Sequence, residues 1–147
     1  MTKRLALFAP LLMLAACHRP SSEPKVTEAW VRLPAVAGQP AAGYFTINGG
    51  HGDARLVRME SALAAKTELH QSMAGMAGMA TMVALTHVDV PAGAKVQFKP
   101  GGNHAMLIGL DPVVKPGTAI PLRFGFADGT TAEAEAKTVS AGQDAPY

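Results

Sequence analysis

The fold of this chain is decided by the segment Lys99-Pro100-Gly101-Gly102-Asn103-His104-Ala105-Met106-Leu107-Ile108-Gly109-Leu110. A Pro-Gly-Gly turn leads into an apolar run, a pattern that predicts a buried β-strand. Side chains two positions apart on a strand point to the same face, so His104 and Met106 should lie side by side. An imidazole and a thioether fixed in this way suit a soft metal ion, above all Cu(I). Two ligands do not complete a metal site, so further ligands must come from elsewhere in the chain.

Outside this segment, runs of β-forming residues alternate with Gly- and Pro-containing turns at intervals of roughly ten residues. Asp128-Gly129 is the strongest hairpin signal. We expect residues 61–65 to form one helical turn, and we predict a half-exposed strand over 131–139, with a sheet edge as one alternative. The pattern predicts an all-β antiparallel sandwich or barrel. The predicted strands cover 26–33, 42–47, 55–61, 66–70, 81–90, 95–99, 104–110, 120–127 and 131–139.

The start of the chain has the pattern of an export signal. Two basic residues precede a short apolar core that is too short to span a bilayer, and Leu14-Ala15-Ala16-Cys17 resembles a bacterial lipobox. We expect residues 1–16 to be a lipoprotein signal peptide and Cys17 to be the lipidated residue. The acyl chains would be the only membrane contact, and they would hold the protein in the bacterial cell envelope, facing the periplasm.

The domain boundaries follow from this expectation. Residues 17–25 are polar and proline-rich and form the lipidated N-terminus and a flexible tether, which contains His18. The copper-binding β-sandwich domain covers 26–141, and 142–147 form a C-terminal tail.

The single cysteine and the charge balance exclude several function classes. Lipidation of Cys17 would leave the domain without a thiol, which excludes thiol redox catalysis, thiolate metal sites and a blue-copper centre. Removal of residues 1–16 takes two of the 13 basic side chains and leaves 11, equal to the 11 acidic ones. A balanced charge gives no indication of nucleic-acid binding. We also find no arrangement typical of a catalytic centre, so we expect a protein that is not an enzyme.

A methionine-rich insert lies between two predicted strands, in residues 72–80. Its Met, Ala and Gly residues are typical of neither a stable helix nor a buried strand, so we expect a mobile loop. Auxiliary copper capture, a pliable docking surface and a neutral insertion are the three interpretations of its methionines: Met73, Met76 and Met79.

Two more candidate ligands flank this insert. His70 closes one predicted strand and Met82 opens the next. Eleven residues separate His70 from Met82, twenty-one separate Met82 from His104, and one separates His104 from Met106. Any of the three insert methionines could share or replace the role of Met82.

This spacing resembles the motif of the PCu(A)C family of periplasmic copper chaperones. The interval of twenty-one residues and the final His-x-Met agree with the family motif, while the first interval is one residue longer here. Asn103 occupies a position where the family more often has an aromatic residue. The resemblance extends from Ala29-Trp30-Val31-Arg32 to Asp128-Gly129, nearly the whole of the domain.

The resemblance implies a cupredoxin-like, antiparallel Greek-key β-sandwich or barrel that binds Cu(I) near one end through His70, Met82, His104 and Met106. It also implies delivery of copper to the binuclear copper centre of cytochrome c oxidase, in subunit II, alongside a Sco-type protein. Neutral thioethers favour Cu(I) and form no disulfides in an oxidising compartment.

Several alternatives stay open from the sequence. The protein could be an envelope lipoprotein that buffers copper or confers resistance without a delivery target. It could also be a copper enzyme, or a structural lipoprotein whose Met-rich insert binds a partner. We expect Met59 and Trp30 to belong to the core, and His51 and His87 not to be ligands.

Overall fold

A computed structural model describes residues 22–75 and 80–147. The described residues form ten strands and no helix. The strands are β1 (Lys25–Arg32), β2 (Ala41–Asn48), β3 (Ala54–Glu60), β4 (Ala64–Ala74), β5 (Ala80–Leu85), β6 (Val88–Val90), β7 (Lys95–Phe98), β8 (Asn103–Leu110), β9 (Ala119–Phe126) and β10 (Thr131–Val139). The predicted all-β architecture is therefore correct. The signal peptide, Cys17 and His18 lie outside the described residues.

One continuous hydrogen-bonded path connects nine of the strands, in the order β5-β4-β8-β2-β1-β10-β9-β3-β6, and β7 pairs with β2 beside β8. All pairings are antiparallel except the one between β1 and β10, which is parallel. The sheet is therefore mixed, where the sequence predicts a purely antiparallel one. Strand β10 lies between β1 and β9, so its half-exposed alternation does not mark a sheet edge; β5 and β6 are the edges of this path.

The core lies on one face of the strands, where alternate apolar residues point inward. Phe45 stacks on Phe98 with ring centroids 4.1 Å apart and meets Phe124 edge-on at 4.7 Å. Met59 is 1 % exposed and belongs to this core, as predicted. Trp30 is also buried, but it packs with Tyr44 and Val139 in a second, smaller cluster on the opposite face. The sheet thus has a packed face and a second face that is only partly covered.

The turns agree with the sequence at one place and differ at another. Asp128-Gly129 joins β9 to β10, with Gly129 at a φ of 89°, which a residue without a Cβ adopts at low cost. The predicted helical turn over 61–65 is wrong. Ala64 donates its N–H to the carbonyl of Ser61 in a tight turn and already belongs to β4. Alanine and leucine are among the best helix formers, but intrinsic propensity is small per residue and strand pairing with β8 outweighs it.

The methionine-rich insert is shorter than the sequence predicts. Strand β4 continues to Ala74 and β5 begins at Ala80, and the two pair in register, with Met73 opposite Thr81. The predicted loop over 72–80 is therefore wrong at both ends, because the backbone ladder between the two strands continues into residues of low β-propensity. Met76 and Met79 lie outside the described residues. The predicted strand over 81–90 is in fact two strands, β5 and β6.

Candidate metal centre

Strand pairing places two histidines directly opposite each other. In the β4–β8 ladder, His70 pairs with His104 and Glu68 pairs with Met106. The two imidazole ring centroids are 5.9 Å apart, with an interplanar angle of 36°. Because directly paired residues of an antiparallel ladder point to the same side, both imidazoles lie on one face of the sheet. This is the face opposite the core, since Leu69 and Ala105, between these positions, belong to the core.

The two predicted thioether ligands lie on the same face. Met106 follows His104 by two positions on β8, and Met82 on β5 pairs with Ser72, which follows His70 by two positions on β4. Strand β5 is two strands away from β8, a lateral distance of about 10 Å at the normal strand spacing. The two side chains nevertheless line one small cavity.

A small cavity of about 170 Å³ collects three of the four predicted ligands. His70 does not line this cavity but lies beside it, against His104. The clefts of about 540 and 560 Å³ elsewhere on the molecule are lined by neither imidazole nor thioether groups. A single metal ion needs convergent donors more than volume, so the small cavity is the candidate centre. Its lining residues are Pro40, Ala41, Ala42, Tyr44, Ser72, Met82, Gly101, His104 and Met106.

The four side chains differ in their exposure to solvent. His104 is only 6 % exposed, although it lies on the outer face of the sheet. The side chain of His70 is 14 % exposed, whereas Met82 is 58 % exposed at the sheet edge. The arrangement is therefore one buried and one partly buried imidazole with one thioether at the surface, where an incoming or departing ion would meet it first.

Hydrogen bonds define which nitrogen of His104 is free. Its Nδ1 lies 3.0 Å from the carbonyl oxygen of Gly102, in the turn before β8. A carbonyl oxygen only accepts, so Nδ1 carries the hydrogen and donates it. In the neutral ring this leaves the Nε2 lone pair available to a metal ion, and the Pro-Gly-Gly turn fixes the ring orientation.

The opposite nitrogen is free in His70. Its Nε2 lies 2.9 Å from Oε2 of Glu68, which precedes it by two positions on the same face. The carboxylate accepts, so Nε2 is the donor. The Nδ1 atom of His70 is buried and has no hydrogen-bond partner among the described residues. A buried polar atom of this kind needs a partner, and a bound ion is one group that would supply it.

Glu68 is held from its other side by Lys66, whose Nζ lies 2.5 Å from Oε1. The hydrogen bonds from Lys66 and from His70 lower the pKa of the Glu68 carboxyl below its ordinary value. The carboxylate is therefore ionised at neutral pH, with its two oxygens committed to two different donors.

The donor set determines which ions would fit. Two imidazole nitrogens and two thioether sulfurs carry no charge, and this combination favours a soft monovalent ion over hard divalent cations, which prefer oxygen ligands. Within residues 22–75 and 80–147, no group of three or more His, Cys, Asp and Glu side chains converges in a way that could hold a metal. The chemistry of the site therefore rests on the thioethers.

Met73, the described member of the Met-rich insert, is placed differently from Met82. It is adjacent to Ser72 on β4, so its side chain points to the opposite face of the sheet from His70. Met73 is 52 % exposed, nearly as much as Met82. The two methionines are thus similar in exposure and lie on one hairpin, but only Met82 lies on the face of the imidazoles. His51 and His87 are both exposed and do not line the cavity.

An aromatic cluster adjoins the cavity on β2 and β1. Tyr44 lines the cavity, and its ring lies 4.5 Å from that of Trp30. The guanidinium of Arg32 lies 5.1 Å from the Trp30 ring centroid and 5.7 Å from that of Tyr44. Burial raises the pKa of the Tyr44 hydroxyl, and the charge of Arg32 opposes this shift.

Sequence reasoning did not identify Glu68, Ser72 or Tyr44 as neighbours of the site. A Glu-x-His pattern on a predicted strand is the signal that could have identified Glu68, since residues two apart share a face. Ser72 and Tyr44 become neighbours of the site only through pairing across strands, which carries no local sequence signal.

Comparison with solved structures places the fold among PCuAC domains. The copper-bound PCuAC domain from PmoF2 superposes with a TM-score of 0.66 at 19 % sequence identity, over 82 % of this chain and 95 % of that one. The solution structure of CuI-DR1885 from Deinococcus radiodurans superposes with a TM-score of 0.58 at 26 % identity, over 88 % of this chain and 85 % of that one. The predicted cupredoxin-like fold class and the resemblance to PCu(A)C proteins are both confirmed.

A sequence relative and a family model both identify a family of lipoproteins. "Putative lipoprotein Lxx21020" from Leifsonia xyli subsp. xyli (strain CTCB07) is 32 % identical over 134 residues, 84 % of this chain and 80 % of the relative. The model of the LpqE-like family, described as "Putative lipoprotein LpqE-like", matches residues 25–138. Within the described residues, no helix is long and apolar enough to cross a bilayer. The chain belongs to the LpqE-like lipoprotein family.

Proposed function

We propose that this protein is a Cu(I) carrier of the bacterial cell envelope, with His70, Met82, His104 and Met106 as the copper ligands. The observation that carries the proposal is the pairing of His70 with His104 on neighbouring strands, with both thioethers on the same face. Copper-bound forms of two proteins with this fold, the PmoF2 domain and DR1885, support the choice of metal.

The proposed ligand set suits transport better than storage. Neutral imidazole and thioether ligands hold Cu(I) without thiolates, so an oxidising compartment does not close the site through disulfides. Because Met82 is exposed at the edge strand, a ligand from another protein can replace it first. Stepwise replacement would then release copper from the two imidazoles without a free ion in solution.

The proposed recipient is the binuclear copper centre of cytochrome c oxidase, in subunit II, with a Sco-type protein acting alongside. We further propose that Cys17 is lipidated and that the lipid anchors the domain at a membrane, facing the periplasm. Membership of a lipoprotein family supports the anchor. A carrier of this kind transfers an ion and catalyses no reaction, so the proposal has no enzymatic step.

Anaerobic titration with Cu(I) in the presence of a competing chelator tests the copper site. The His104→Ala, Met106→Ala double variant should bind at least about 100-fold more weakly than the wild type, equivalent to about 2.8 kcal/mol. His87→Ala, at an exposed histidine away from the cavity, is the matched control and should bind like the wild type. Equal affinity of the double variant and the wild type would contradict the proposal.

A second experiment separates delivery from copper buffering. The Cu(I)-loaded protein is mixed without oxygen with the apo, soluble copper domain of oxidase subunit II, with and without a reduced Sco-type protein. Transfer is followed by the copper content of each protein after separation. Transfer supports the delivery role. Loss of copper tolerance on gene deletion, with full oxidase activity, would instead identify a buffer.

A further inference from the structure

The carboxylate of Glu68 links the copper-site imidazole of His70 to the charged surface of β4. Its Oε2 accepts the hydrogen bond from His70 Nε2 at 2.9 Å, while Oε1 receives the Lys66 ammonium at 2.5 Å. Glu68 also pairs with Met106 across the β4–β8 ladder, so it lies within the proposed ligand group. Yet its oxygens are already committed to two donors, and a hard carboxylate is a poor ligand for Cu(I).

The bond to Glu68 has a consequence for the other nitrogen of His70. A carboxylate takes the hydrogen from Nε2, so in the neutral ring the Nδ1 atom has only its lone pair. This Nδ1 is buried and has no partner among the described residues. It therefore needs a donor or a metal ion to compensate for its lost hydration.

We propose that Glu68 is a positioning residue for the copper site: by accepting the Nε2 hydrogen of His70, it fixes the tautomer and ring orientation that present Nδ1 to Cu(I). This inference rests on the proposed function. In His104 the other nitrogen is free: Nδ1 donates its hydrogen to the carbonyl oxygen of Gly102, which leaves the Nε2 lone pair available. The two facing imidazoles would thus bind one ion through different nitrogens.

The two histidines present different nitrogens because their rings are hydrogen-bonded to different parts of the chain. The two histidines face each other directly across the ladder, with ring centroids 5.9 Å apart. One ring is tied back along its own strand to Glu68, and the other is tied to the turn that precedes β8. Hydrogen bonds of this kind to the second ring nitrogen hold metal-binding histidines in place, and their loss lowers metal affinity by about 10- to 100-fold.

Long-range ¹H–¹⁵N correlation spectra of the ¹⁵N-histidine-labelled protein test the inference directly. In the copper-free wild type we expect His70 as the neutral tautomer with hydrogen on Nε2. After addition of Cu(I) without oxygen, the Nδ1 resonance of His70 should shift, whereas for His104 the Nε2 resonance should shift. A Cu(I)-induced shift at His70 Nε2 instead would mean that the bond to Glu68 breaks on binding, and would overturn the inference.

Two variants of Glu68 supply the second measurement. Glu68→Ala removes the acceptor and should weaken Cu(I) binding by about 10- to 100-fold, with the metal distributed between both nitrogens of His70. Glu68→Gln keeps a carbonyl oxygen that can accept the same hydrogen and should restore most of the affinity and the Nδ1 signature. Glu60→Ala removes a different ion-paired carboxylate, on β3, and is the matched control, with no expected change.

The outcomes separate this inference from the proposed function. If the wild type binds no Cu(I), both fail. If the wild type binds Cu(I) tightly and Glu68→Ala binds equally well with an unchanged His70 spectrum, only the inference fails. The wild-type spectra decide the point even if Glu68→Ala does not fold.

Discussion

His70 and His104 lie directly opposite each other on neighbouring antiparallel strands, with their ring centroids 5.9 Å apart and both rings largely shielded from solvent. This relationship depends on the register of β4 against β8. A shift of that register by one residue would separate the two imidazoles onto opposite faces of the sheet. The stability of this pair of strands and the integrity of the site are therefore linked.

The contribution of Met82 to Cu(I) affinity can be distinguished from that of a methionine on the other face of the sheet. Met82→Leu removes a sulfur from the imidazole face, and we expect Cu(I) affinity to fall at least about tenfold, equivalent to about 1.4 kcal/mol. Met73→Leu is the matched control, because Met73 lies on the same hairpin at similar exposure but on the other face. Competitive Cu(I) titration of both variants measures the difference. Equal losses in both would show that Met73 and Met82 act interchangeably.

Copper should stabilise the folded protein, because the four proposed ligands lie on neighbouring strands that are paired only in the folded chain. At free Cu(I) about 100-fold above the dissociation constant, we expect a gain of about 2.7 kcal/mol in the free energy of unfolding. Anaerobic thermal unfolding with and without buffered Cu(I) measures it. The gain should disappear in the His104→Ala, Met106→Ala variant, and a gain that persists there would place the copper elsewhere.

The core beneath the site should determine the stability of β8. Leu107 is fully buried and follows Met106 on the opposite face of the strand. Leu107→Ala should lower the free energy of unfolding by about 2–5 kcal/mol, because it leaves a cavity in the core. Val113→Ala, at a residue that is 66 % exposed, should change it by less than about 0.5 kcal/mol. Chemical denaturation measures both, and a small effect of Leu107→Ala would mean that the core is loosely packed here.

The Asp128 carboxyl in the β9–β10 turn should make the free energy of unfolding depend on pH. Oδ1 of Asp128 accepts hydrogen bonds from the backbone N–H and the hydroxyl of Thr130, at 2.9 and 2.7 Å, and these lower the pKa of the Asp128 carboxyl. Because the pKa is lower in the folded state, the stabilisation is present at neutral pH and is lost as the pH falls through the folded-state pKa. Asp128→Asn should therefore be less stable than the wild type at pH 7.

The difference between Asp128→Asn and the wild type should become smaller from pH 7 to about pH 3, because the stabilisation is lost as the pH falls below the ordinary carboxyl pKa and towards the lower folded-state pKa. Denaturant unfolding at the two pH values measures this. An equal difference at both values would mean that the amide disrupts the turn for reasons unrelated to charge.

The local elements were largely predictable from the sequence. Alternation of apolar and polar residues, with Gly and Pro at the turns, predicts most of the strands, and Asp128-Gly129 predicts the hairpin that the structure shows. The wrong predictions of secondary structure lie in segments whose composition does not indicate a strand. Residues 61–65 and 72–74 are rich in Ala, Leu and Met, yet they lie in a turn or in β4, because pairing with a neighbouring strand outweighs their weak helix or loop preference.

The sequence by itself determined the chemistry of this protein: which side chains could bind a soft ion, and that His104 and Met106 share one face of one strand. Only the tertiary structure decided that His70 faces His104, that Met82 and not Met73 lies on their face, and that Glu68 and Gly102 hold the two rings by opposite nitrogens. The physical reason is that alternation along a strand is a local property, whereas register and strand order depend on contacts among all ten strands at once.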